Sequence, residues 1–345
     1  MRIAVVGLAL VLAGCTGGTA KQPPAPPPVP ALSGAQVAIF DTGRDATAVA
    51  IGPGSAWVGN SGDGTLTEID MVHNRVRATI RIGDTAVLRS RGCAPGSIHS
   101  APDGSYSVRL CDLPSAVVFA AGSVWVTRDD QQALLRLDPA SHRVVSTVKL
   151  GISPFLMAAG GGAIWVTDYE HDALARVDIA TNSVTHVFRG LPHGPSGVAF
   201  GAGSAWLANR RDNTVTRIDP ATDTVSAVIP VGSSPLAIVA GDAVWVHNEY
   251  DTNVSRIDPA TNRVVVTIPV GPKEGRDGVD SIALEGGAPW VTGMKLMRID
   301  PATNRVDRIL GQDAATVTSG TAGDLWLTDV AGRVVRIALT PPRLG

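Results

Sequence analysis

Seven tryptophans, each preceded by a Gly-rich step and followed by Val or Leu, predict an all-β chain. With four short β-branched runs per copy and a recurring Asp-Pro-Ala-Thr-Asn turn, they predict a seven-bladed β-propeller of four-stranded antiparallel blades. The tryptophans are Trp57, Trp125, Trp165, Trp206, Trp245, Trp290 and Trp326. Their spacing stays near the roughly 40 residues of one blade except between Trp57 and Trp125, where the chain carries an insertion. No window outside the extreme N-terminus holds a helical apolar period.

The N-terminus comes first. Arg2 precedes the apolar run Ile3 to Leu12, which is too short to span a bilayer and reads as a signal segment. Leu12-Ala13-Gly14-Cys15 resembles the lipobox of bacterial lipoproteins. The resemblance implies a signal peptide over 1–14, cleavage before Cys15 and acylation of that cysteine. The partner would then be the membrane, through lipid, and the address the extracytoplasmic side of the cell membrane; Thr16 after the Cys would permit the outer membrane in a diderm host. An ordinary secretory signal with an incidental Cys is the alternative. Residues 15–35 then form a tether. Six prolines between Pro23 and Pro30 favour an extended polyproline-like chain of about 3.1 Å per residue.

The propeller is expected over 36–340, with 341–345 as a tail. Its best-kept unit, residues 236 to 271, reads as four runs of Leu-Ala-Ile-Val-Ala, Ala-Val-Trp-Val-His-Asn, Asn-Val-Ser-Arg-Ile-Asp and Arg-Val-Val-Val-Thr-Ile. Such runs bounded by Gly, Pro, Asn and Asp are strands. One Trp per unit, among small β-branched residues, suits packing between sheets rather than ligand stacking.

Between the third and fourth runs the turn is spelled Asp138 to His142, Asp219 to Asp223, Asp258 to Asn262 and Asp300 to Asn304, with weaker copies at Asp178 to Asn182 and Asp70 to Asn74. Asp accepts hydrogen bonds from the N–H groups ahead of it, Pro presets φ, and Asn tolerates the left-handed conformation. These aspartates read as turn formers. The arginines two residues earlier (Arg136, Arg176, Arg217, Arg256, Arg298) share the face of their Asp, and the pairing reads as a structural hydrogen-bond ladder.

The last unit ends without a fourth run, whereas Gln36 to Thr42 precedes the first unit and matches a fourth run. The N-terminal strand should therefore complete the last blade and close the ring. In the insertion, at about 84–114, Cys93 and Cys111 are the two cysteines besides Cys15. In an exported chain they most simply form a disulfide, which contributes on the order of 3 kcal/mol. Two thiols cannot fill a zinc shell, so no metal site is expected there.

The insertion leaves on the face that carries the connections between blades, and the turn after each Trp strand opens on that same face. Three residues past each Trp stand Asn60, Arg128, Asp168, Asn209, Asn248, Gly293 and Asp329, six of them polar or charged. This face is the expected binding surface, with the loop Pro272 to Asp280 beside it. Solvated strand ends are the alternative reading of the same residues. No cofactor is expected, and the chain should be monomeric. A net charge of −2 with no basic run argues against nucleic acid.

The strings Ala-Val-Trp-Val, Thr-Val-Thr-Arg-Ile-Asp-Pro-Ala-Thr and Val-Ile-Pro-Val-Gly-Ser-Ser-Pro resemble the YVTN-type repeats of YncE-like bacterial propellers. That resemblance implies an exported binding or scaffold module for a peptide, polysaccharide or protein. The Trp step is also similar, more distantly, to streptogramin lyases of the virginiamycin B lyase type. This second resemblance implies a Mg²⁺-dependent elimination with a His base and a carboxylate, for which His247, Glu249 and His193 are the candidates.

Overall fold

The computed structural model describes residues 35–83, 98–100, 106–108, 114–271, 281–293, 295–311, 316–321, 323–328 and 333–339. These residues form seven four-stranded antiparallel sheets, and a two-stranded ribbon lies within the insertion. Blade 5 shows the plan: Pro235–Ala240, Val244–Asn248, Asn253–Asp258 and Arg263–Pro269 pair in sequence order. First strands of successive blades contact one another around the centre. Second strands, such as Ser55–Asn60 and Ala163–Asp168, are buried along their whole length. Fourth strands form the rim, where Thr224–Pro230 and Arg263–Pro269 present Val225, Val228 and Val265 to solvent.

The ring closes with the N-terminal strand. Ala35–Asp41 pairs antiparallel with Arg333–Ala338 as the outermost strand of blade 7, in the register Phe40 opposite Val334 and Asp41 opposite Arg333. The Phe40 ring stacks on Trp326 at 5.6 Å. The N-terminal strand thereby covers the edge that Arg333–Ala338 would otherwise expose.

Each of seven apolar clusters spans two neighbouring blades and contains one Trp. Trp206, for example, packs with Ala208 and Val215 of its own blade and with Ile238, Val244 and Val246 of the next. All seven indoles are at most 2% exposed. The large flat side chain fills a wedge that opens with radius, which small β-branched residues cannot do.

The turn chemistry is as the spelling indicates. Asp138 accepts bonds from the N–H and hydroxyl of Ser141, and Asp258 from the N–H of Ala260 and the hydroxyl of Thr261. His142, Asn182, Asp223, Asn262 and Asn304 all take φ between 52° and 59° at the turn's end.

The arginine ladder runs between blades rather than within them. Arg136, Arg176, Arg217 and Arg256 each lie over the Trp of their own blade, 4.8–5.4 Å from the ring centroid. Each then donates to the next blade's turn: Arg217 to Pro259 O and Asn262 Oδ1, Arg256 to Pro301 O and Asn304 Oδ1. Arg336 does the same from blade 7 to Met71 O and Asn74 Oδ1 of blade 1, across the closure. A planar fork of donors over an indole suits this double task, and a lysine could not perform both.

Blades 1 and 6 depart from the pattern. Blade 1 has Glu68 at the arginine position, and the next blade answers with His142, whose Nε2 lies 2.8 Å from Glu68 Oε2. Blade 6 has Arg298, but blade 7 has no turn between third and fourth strands because the chain ends meet there. In both blades the bulged residue of the rim strand supplies the opposite charge, Arg77 to Glu68 and Asp307 to Arg298.

Candidate functional site

One face of the ring is built from the turns after the Trp strands and the connections between blades. The side chains three residues past Trp stand at the roots of those turns. Asn60, Asn209 and Asn248 are completely buried. Their Nδ2 groups donate to hydroxyls or an amide of the adjacent third strand: Asn60 to Thr65 and Thr67, Asn209 to Thr214 and Thr216, Asn248 to Asn253 and Ser255. Asp168, 1% exposed, accepts from Ser153 N at 2.8 Å and from both N and Nδ1 of His171. Arg128 forms a two-pronged ion pair with Asp130 and donates to Ile82 O. Asp329, Cys15, Cys93, Cys111 and the loop Pro272 to Asp280 lie outside the described residues.

Solvent on this face meets the residues that follow. In blades 3, 4 and 5 the turns read Tyr169-Glu170-His171-Asp172, Arg210-Arg211-Asp212-Asn213 and Glu249-Tyr250-Asp251-Thr252. Tyr250 is 60% exposed. Arg211 covers the Tyr169 ring at 4.6 Å and reaches Glu170 at 3.2 Å, while Phe155 meets the same ring at 5.5 Å. Arg210 lies 6.0 Å from the Tyr250 ring. Two tyrosines thus flank the blade 4 turn, one on blade 3 and one on blade 5, each backed by an arginine of that middle turn. Sequence reading at a fixed offset from Trp missed them, although two of the chain's three tyrosines fall in these turns.

The lyase candidates are distributed differently. His193 is exposed; its Nδ1 meets Asp212 at 3.0 Å and its Nε2 lies 3.9 Å from Asp172. The hydrogen bond from the His193 backbone N–H holds the Asp212 carboxyl below its usual range, against a smaller opposing effect of burial. His247 is 3% exposed, at the strand position where blades 2 and 3 carry the buried Thr127 and Thr167. Glu249 is 5% exposed, ion-paired with Arg210 and hydrogen-bonded to Ser234. Among the described residues, no three His, Cys, Asp or Glu side chains are grouped to hold a metal.

The opposite end of the face, at blades 7 and 1, is held by Arg44 and Asp63. Burial would raise the Asp63 carboxyl, yet the Arg44 backbone amide and guanidinium outweigh it and hold the group low. Among the described residues, no helix is long and apolar enough to cross a membrane.

Residues 69–235 match the model of a repeat of unknown function, DUF6923. No curated protein sequence matches the chain. A solved structure described as "Streptogramin B lyase structure" is similar in fold, with a TM-score of 0.68 and 15% identity, covering 87% of this chain and 95% of that one. At that identity the likeness shows the architecture alone.

Proposed function

We propose that the propeller is a binding module whose loop-rich face, over blades 3 to 5, takes an extended peptide, a polysaccharide or a partner protein. The observation that carries this reading is the pair of tyrosines, Tyr169 on the blade 3 turn and Tyr250 on the blade 5 turn, backed by Arg211 and Arg210 of the blade 4 turn between them. Aromatic faces with a charged rim supply contact area at low entropic cost. The buried residues Asn60, Asp168, Asn209 and Asn248 serve this face by fixing its turns. Arg128 serves it through its bond to Ile82 O, next to the connection that carries the insertion.

The module would be displayed outside the cytoplasm on lipid at Cys15, with Cys93 and Cys111 joined in the insertion. Mass spectrometry of the membrane-extracted protein tests both: a diacyl or triacyl mass on Cys15 that vanishes in Cys15→Ala supports the anchor, and two free thiols would overturn the disulfide.

A Tyr169→Ala/Tyr250→Ala double variant tests the face. Capture of a ligand from the cell envelope by the parent protein and its loss in the variant, at unchanged melting temperature, is expected. Equal capture by both would overturn the site. A lyase activity through His193, His247 and Glu249 is the alternative. Glu249 spends its carboxylate on Arg210 and Ser234, which weighs against a metal there. Ring opening of a cyclic depsipeptide by the protein with Mg²⁺ would restore it.

A further inference from the structure

We propose that the ring has a built-in seam between blades 6 and 7, the interface at which it opens. Five interfaces carry an arginine that lies over its own Trp and grips the next blade's turn, and a sixth carries Glu68 with His142. At the blade 6–7 interface Arg298 instead turns back to Asp307 of its own blade. The reason is topological. The turn it would grip does not exist, because blade 7 takes its outer strand from the N-terminus.

Trp290 reflects the same gap. Five tryptophans lie under a guanidinium, and Trp57 has the His142 ring edge-on at 5.9 Å. Among the described residues, Trp290 has neither; its buried indole N–H lacks an acceptor, as do those of Trp57 and Trp326, but those two rings keep their cationic or imidazole neighbour. Blades 6 and 7 are joined by the apolar cluster of Trp290, Leu296 and Leu310 with Val317, Leu325 and Leu327 and, towards the centre, by the Ser281 hydroxyl donating to Val317 O at 3.4 Å. A bond near the centre leaves the outer part of the interface to apolar burial, which permits sliding that an arginine fork on the neighbouring turn forbids.

A second, independent feature opposes closure at this place. Glu285 ends the first strand of blade 6, and Asp324 starts the second strand of blade 7. Burial first, and the Asp324 carboxylate second, push the Glu285 carboxyl above its usual range. Asp324 is itself bound by Arg336, whose guanidinium also reaches Met71 and Asn74 on the far side of blade 7. An acid whose folded pKa is raised favours the closed ring while protonated, and this stability is lost as pH rises through the raised value. Above its raised value, the ionised Glu285 therefore loads the seam.

Each interface contains its own indole, so millisecond hydroxyl-radical footprinting of the intact protein at neutral pH reads all seven at once. Trp290 is expected to oxidise faster than each of the other six, by at least about threefold. Glu285→Gln should bring Trp290 towards the rest, and Asn74→Ala, which removes one grip at the blade 7–1 interface, should raise Trp326. Uniform oxidation, or a different indole reacting fastest in the parent protein, would overturn the seam. So would a Glu285→Gln variant that folds and leaves the Trp290 rate unchanged.

Discussion

Thr42 donates its hydroxyl to Asn60 Oδ1 at 3.0 Å, and the corresponding oxygens of Asn209 and Asn248 are buried with no hydrogen-bond partner among the described residues. The reason is one residue in the connection. Gly43 and Gly232 crowd Asn60 and Asn248 in the same way, with a Cβ placed there 2.7 Å from the asparagine, so Val231 occupies the place of Thr42. Val231→Thr should satisfy Asn248 Oδ1 and stabilise the protein by about 1 kcal/mol in urea unfolding. The turn aspartates make a second expectation. Hydrogen bonds from Ser141, Thr181, Ala260 and Thr303 hold Asp138, Asp178, Asp258 and Asp300 below their ordinary range. Because their folded values are depressed, their stabilisation is complete above the unfolded carboxylate range, near pH ~4, and is lost as pH falls through the folded values. Urea midpoints between pH 5 and pH 2.5 should therefore fall, and Asp258→Asn should lessen that slope. These aspartates were legible in sequence because their partners are two or three residues away. The burial of Asn60, Asn209 and Asn248 was not, since an offset from Trp fixes a place along the strand but not which neighbouring strand receives the side chain.

At the scale of the element, the period of two and the turn spelling located the strands, and the Trp strand is buried as such a pattern requires. The ladder of arginines is the instructive miss. Arg217 and Asp219 share a strand face, which suggested that they pair, yet Arg217 spans to Pro259 and Asn262 in the following blade. Its own Asp219 is engaged by the Ala221 N–H. The bulge opposite each arginine displaces the rim strand, and the long side chain passes over its Trp towards the neighbour. Arg217→Lys keeps the charge and loses the fork; about 2 kcal/mol of stability should go with the hydrogen bonds to Asn262, Pro259 and Ser204. A thermal scan beside Arg298→Lys is the useful comparison. Arg298 has no neighbouring turn to hold, so its variant should lose less.

For the whole molecule, stability depends on a strand from one chain end lying on a strand from the other. Phe40 is 4% exposed and stacks on Trp326, so Phe40→Ala should cost about 3–5 kcal/mol and shift the denaturant midpoint accordingly. If the variant melted like the parent, the N-terminal strand would not be the fastener of the ring. The same topology removes a turn from blade 7 and leaves blade 6 without a grip on its neighbour, so one feature both closes the ring and weakens one interface. Tyr169 and Tyr250 stand either side of Arg210 and Arg211, a grouping that exists only once blades 3, 4 and 5 are set side by side.

The sequence by itself determined the number of blades, the limits of their strands, the conformation of the turns and the pairing of the two chain ends. Each of these follows from short-range periodicity and from backbone preferences of Gly, Pro, Asp and Asn, which act within a few residues. Only the tertiary structure decided which blade each arginine grips, which polar side chains face inward and which arginine backs each tyrosine. Those outcomes depend on contacts between residues some 40 positions apart, across interfaces whose twist and spacing are set by packing and leave no local trace in the chain.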